Sequence, residues 1–142
     1  MVAKFLRIIL ALTVVFASSA YAKDKIPSLV GKWNTESMGG VMVSGERQSK
    51  ETHWVPDQKI LKGLFEIKTQ DGRFVTGTYA SERGTEPFIG MISADGKWMY
   101  ASDTDGFMDW KIINKDTMEV LYRHAKPTDS VVAMGIAKRM KE

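Results

Sequence analysis

The chain of 142 residues has no cysteine, only two histidines, and no long apolar run beyond its N-terminal stretch. Each shortage excludes something. Without cysteine there is no disulfide framework, so a small exported domain must rely on its core. A bacterial periplasm or exterior then suits it better than a eukaryotic secretory route. His53 and His124 lie far apart, with no thiol to complete a ligand set, so no metal and no cofactor are expected. The segment "SDTDG" (102–106) is not an EF-hand loop, because Ala101 stands where the first acidic ligand would be. No basic cluster interleaves with aromatics, which argues against a nucleic-acid partner. No Gly-x-Ser-x-Gly elbow occurs. An enzyme would need Glu86, Asp103, Arg123 and His124 to converge, and the pattern favours a protein that is not one.

The apolar run that does exist, Ile8–Phe16, follows Lys4 and Arg7 and precedes Ala20-Tyr21-Ala22. A basic start, a short apolar stretch and an A-x-A end are the marks of a signal peptide over 1–22, cleaved after Ala22. The run is too short for a hydrocarbon core of about 30 Å. No stable membrane anchor is expected, and 23–142 form a single periplasmic or secreted domain. Lys4 and Arg7 supply two of the three net positive charges, so the formal charge of +3 is no sign of an anionic partner.

What the sequence has in abundance is turns. Asp71-Gly72, Asp95-Gly96 and Asp105-Gly106 each separate runs of strand character, and Asp-Gly favours two-residue hairpin loops. Asn114–Thr117 and Lys126–Asp129 mark two further reversals. Strands at a spacing of roughly ten residues, without a helical period, predict an all-β fold. Successive hairpins favour an eight-stranded antiparallel up-and-down barrel. The strands fall near 29–36, 60–70, 73–81, 87–94, 97–103, 107–113, 118–125 and 130–140. Residues 37–59, which include Trp54, read as a long lid-like insertion.

Two-residue turns fix which residues face each other. Ile67 is expected opposite Thr76, Phe65 opposite Thr78, Ile92 opposite Met99, and Ala101 opposite Trp110. One face then collects Phe88, Gly90, Ile92, Met99, Ala101, Met108, Trp110 and Ile112, a mixture of large and small apolar residues that suits a barrel interior. Regular register through 114–117 puts Glu119, Leu121 and Arg123 inside; a three-residue loop puts Val120, Tyr122 and His124 there instead. The outer face of 87–122 keeps Ile89, Met91, Trp98, Tyr100 and Ile113, extended by Met118, Val120 and Tyr122 in the regular register. Such a patch is covered either by the 37–59 insertion folding back over it or by a second barrel, which makes a homodimer.

"LVGKW" (29–33), followed by a meander ending in "AKRMKE", resembles the calycin group of lipocalins, fatty-acid-binding proteins and avidins, and "GRFVTGTY" (72–79) resembles the avidins' third strand. The resemblance implies that Gly31 and Trp33 open the first strand and that Arg139 packs across Trp33. Avidins carry a biotin-binding Asn two positions after that Trp; Thr35 stands here, so biotin is not implied. If Glu119 faces inward at the same end, it needs a cation such as Arg139, giving a closure of Gly31, Trp33, Glu119 and Arg139. The function expected is the binding of a small, largely apolar or amphipathic molecule in the barrel mouth, with Arg123, Trp110, Thr78, Phe88, Met108 and Trp54 as candidate contacts. The alternative is a filled barrel that acts as an interaction or structural module through its outer surface.

Overall fold

A computed structural model, which describes residues 26–44 and 52–141, shows eight strands closed into an antiparallel barrel in chain order. The strands are β1 (Gly31–Val43), β2 (Ile60–Asp71), β3 (Phe74–Ser81), β4 (Gly84–Ile92), β5 (Trp98–Ser102), β6 (Phe107–Asn114), β7 (Thr117–Ala125) and β8 (Asp129–Arg139). β8 returns to β1, from Trp33 opposite Arg139 to Val43 opposite Asp129, so every strand is paired on both sides. The all-β, up-and-down architecture is the one the turn series predicts. The expected signal peptide (1–22) and residues 45–51 of the insertion lie outside the described residues.

β1 runs well past its expected end, so the insertion begins at Ser44 and not at residue 37. The pair Gly39-Gly40 reads as a loop in sequence. In the barrel a Cβ on Gly39 would run into the Val132 carbonyl oxygen and Ala133, so the glycine lets β8 pass close to β1.

Two slips in register decide which side chains face inward. Between β2 and β3 the ladder shifts between Ile67 and Thr69, placing Ile67 opposite Gly77 and Phe65 opposite Tyr79. Val75, Gly77 and Tyr79 therefore point inward, and Thr76 and Thr78 do not. On the outer face the Thr76 hydroxyl bonds that of Thr69 at 2.7 Å. Between β6 and β7 the ladder shifts between Ile112 and Asn114, placing Trp110 opposite Val120 and Met108 opposite Tyr122. The second of the two registers open in sequence is the one adopted. Met118, Val120, Tyr122 and His124 are inside, and Glu119 and Arg123 are outside. The β5–β6 connection is longer than a two-residue turn, with Ala101 opposite Met108 and Met99 opposite Trp110. The offset is two residues, so those faces stay as derived. Ile92 lies opposite Met99 as expected.

The barrel is sealed at the end where β1 begins. The Arg139 guanidinium stacks over the Trp33 ring at 4.1 Å. It donates to the carbonyl oxygens of Val30 (2.6 Å), Ser28 (2.9 Å) and Lys115 (2.9 Å). Buried Leu29 plugs the centre, held by its N–H to Gln70 Oε1 at 2.8 Å. Glu119 has no part in this closure, because the slip in register turns it outward. Above the plug, Trp110 packs 4.4 Å from Phe65 and 6.0 Å from Phe88, between ring centroids. Each such buried side chain contributes about 1.5–3 kcal/mol. Clearing a ligand channel through this layer would sacrifice several of them, so the lower barrel is core.

Candidate functional site

Space remains at the opposite end, where residues 52–54 cross the mouth. Thr52, His53 and Trp54 fold down over the barrel as a strap. Trp54 is buried against Leu61, Val131 and Ala133. Thr52 Oγ1 donates to Asp129 Oδ1 at 2.8 Å, and His53 Nδ1 lies 2.6 Å from Ser81 Oγ. The His53 ring meets Tyr79 edge-on at 4.9 Å, and its Nε2 lies 3.4 Å from Glu86 Oε1. A tight turn at Val55–Gln58, with Asp57 at φ 66°, returns the chain to β2.

Beneath the strap lies a cavity of about 40 Å³. A single water needs roughly 10–15 Å³ by the same measure, so the space is that of a few waters or a compact chemical group. Its apolar walls are Trp54, Leu61, Phe65, Met108, Val120 and Ala133; Ser37, His53, Tyr79, Asp103, Tyr122 and His124 supply polar atoms.

Tyr122 and His124 belong to a connected network. Tyr122 Oη donates to Asp105 Oδ1 at 2.9 Å and lies 2.8 Å from His124 Nδ1. His124 Nε2 lies 2.6 Å from Asp129 Oδ1, in a fully buried pair. Lys126 pairs with Asp105 Oδ2. Oxygens of Glu86, Asp103 and Asp105 all fall within 4.8 Å of one another. Asp103 Oδ1 accepts the N–H groups of Asp105 (3.0 Å) and Gly106 (2.6 Å), which shapes the β5–β6 loop. Burial pushes the Asp103 carboxyl above the usual range; those two N–H bonds oppose the shift, and the Asp105 and Glu86 charges add to it. Burial likewise pushes both phenols up, that of Tyr79 with help from Glu86 and that of Tyr122 with help from Asp103 and Asp105.

The three carboxylates are the donor type of a hard cation, but Asp105 is already committed to Tyr122 and Lys126. Ser81, His53 and Glu86 lie in the order of a nucleophilic triad. Ser81 is nonetheless absent from the cavity lining, and its oxygen already accepts the Arg83 N–H at 3.1 Å. Both His124 nitrogens are engaged, which leaves none to act as a base toward a bound molecule. His53 Nε2, by contrast, is buried on the cavity wall without a hydrogen-bond partner among the described residues, 3.4 Å from Glu86 Oε1.

Of the six candidate contacts, Met108 and Trp54 line the cavity. Trp110 and Phe88 lie in the packed layer below. Thr78 and Arg123 point away, and Arg123 pairs on the outer surface with Asp109 at 2.7 Å. Glu86, Asp103 and His124 do converge; Arg123 does not join them. Tyr79, Asp105 and Asp129 were not among the candidate site residues named from sequence, where Asp105 and Asp129 read only as turn residues. Tyr79 could have been found only by placing the β2–β3 slip.

No family model and no curated protein matches the chain. Among solved structures it is similar to a redesigned β-barrel, at 8% identity and a TM-score of 0.51, over 84% of this chain and 96% of that one. That likeness concerns the fold alone.

Proposed function

We propose that this protein is an exported, calycin-like binding barrel that holds a small, largely apolar ligand under the strap at its mouth. The observation that carries the reading is the cavity: apolar walls, a few convergent polar groups and a lid of its own chain are the usual form of a small-molecule site. The filled lower barrel restricts the ligand to a small one. Export rests on residues 1–22, and the calycin relationship on Gly31, Trp33 and Arg139. Native mass spectrometry of protein released gently from its own cells tests the binding, with Ala133→Leu as the variant that fills the cavity. A bound small molecule lost in that variant supports the reading. A bare mass in both would remove it. Fractionation with N-terminal sequencing tests export; a mature chain that retains residues 1–22 would count against it.

A second reading is favoured by one feature of the outer wall. Phe74, Ile89, Met91, Tyr100 and Phe107 are exposed around one shallow depression, with the Trp98 and Tyr100 rings stacked at 6.5 Å. A contiguous apolar patch on antiparallel strands fits contact with a second copy. Met118, Val120 and Tyr122 do not extend it, because they face inward. Light scattering decides between dimer and monomer, with Trp98→Asp as the disrupting variant.

A further inference from the structure

Among the described residues, the mouth contains more carboxylate than cations to match it. Glu86 faces His53 and Asp105 is taken by Lys126, whereas Asp103 forms no ion pair among the described residues. Asp103 nonetheless lines the cavity. A partly desolvated carboxylate without a cation is costly to the fold, and it persists where something else supplies the charge. The rest of the cavity indicates what that is. Four aromatic side chains, Trp54, Phe65, Tyr79 and Tyr122, line the same small space, with Phe65 and Tyr79 only 4.5 Å apart. Aromatic faces attract cations through their quadrupole, most strongly when water is excluded. A hydrated metal ion prefers oxygen on all sides, and a phosphate or carboxylate would be repelled by Asp103. A compact organic cation satisfies both the rings and the acid.

We propose that the cavity recognises a small ammonium group, with Asp103 as its counter-ion and the aromatic rings as its cage. The inference rests on the binding function above and names the polar part of that ligand. Choline and its uncharged carbon isostere, 3,3-dimethylbutan-1-ol, have nearly the same shape and differ in charge. Calorimetric titration of the whole mature protein with each is the test. Choline is expected to bind at least about tenfold more tightly, the scale of one desolvated cation–π contact. Asp103→Asn, which keeps the acceptor for the two loop N–H groups, is expected to bring the two probes to parity. The wild-type comparison needs no variant, so it stands even if Asp103→Asn folds poorly. Equal affinity in the wild type would overturn the ammonium assignment and leave the binding function intact. Failure of both probes to bind would also overturn the ammonium assignment, while the binding function stands or falls on the native mass. Binding of calcium in place of choline, lost in Asp103→Asn, would give the carboxylates to a metal and overturn the proposal.

Discussion

Replacing Arg139 by alanine should be among the most damaging single changes outside the apolar core. The guanidinium makes three hydrogen bonds to backbone carbonyls, from Ser28, Val30 and Lys115. Those carbonyls belong to the N-terminal plug and to the β6–β7 turn, so one side chain ties three parts of the closed end together. The site is partly open to water, which can re-solvate the freed carbonyls, so about 1 kcal/mol per bond is the appropriate scale. The stack on Trp33 adds about 1 kcal/mol. Arg139→Ala should therefore lose about 3–4 kcal/mol. Near the melting temperature this corresponds to a fall of roughly 10–15 °C for a domain of this size. Arg139→Lys keeps the charge and the stack but not the fork, and should lose about half as much. Urea unfolding of the protein, followed by tryptophan emission, gives all three values. A loss below about 1 kcal/mol in the alanine variant, or a lysine variant as weak as alanine, would refute the reasoning. Gly31 belongs to the same lock: its φ is +138°, and a Cβ there would stand 3.0 Å from Arg139 Nη1.

Gly39→Ala and Gly40→Ala should diverge although the residues are adjacent. The first drives a Cβ into β8 and should cost about 1–3 kcal/mol, while the second meets nothing within 4 Å and should be close to neutral by thermal melting. Asp129→Ala strands His124 Nε2 and Thr52 Oγ1 in a buried place and frees the half-buried Thr128 Oγ1. It should cost about 3–5 kcal/mol and raise hydrogen exchange over 52–59 ahead of the barrel strands. The raised Asp103 pKa means that the folded chain holds a proton which the unfolded chain gives up near the ordinary value of 3.8. This contribution makes stability fall as pH rises through the interval above that value. Asp103→Asn should then melt higher than wild type at neutral pH, with the difference vanishing below the ordinary aspartate range. An unchanged difference across that pH range would contradict it.

The architecture was legible because hairpin chemistry is local. Gly72 and Gly96 take positive φ in their turns, and the strands between the turns alternate as the sequence does. The lock of Trp33 and Arg139 was legible through resemblance to the calycins, since nothing local links residues so far apart in the chain. The faces of β4, β5 and β6 were legible even though the 103–106 loop was misjudged, because an error of two residues preserves parity. What sequence could not reveal was an odd slip. A single extra residue at Lys68 or Ile113 carries no signature of its own, yet it reverses every side chain beyond it. Apolar content did not settle the matter: β7 presents Met118 and Val120 on one face and Leu121 on the other.

Those two slips also decide which side chains reach the mouth. In a regular ladder Arg123 and Thr78 would reach the mouth, and a guanidinium beside a hydroxyl would select a carboxylate or phosphate. The slip at β2–β3 replaces Thr78 by Tyr79, adding an aromatic wall. The slip at β6–β7 replaces Arg123 by Tyr122 and His124, and Arg123 turns out to Asp109. Asp103 keeps its position either way, because the β5–β6 loop holds it through its own backbone N–H groups. With the arginine turned out, Asp103 has no cationic partner among the described residues and shares the cavity lining with aromatic rings. The same chain, read one residue out of phase, describes an anion site; in its actual phase the mouth is acidic and aromatic. The sign of the charge that lines the mouth is thus a property of strand register, which composition does not carry.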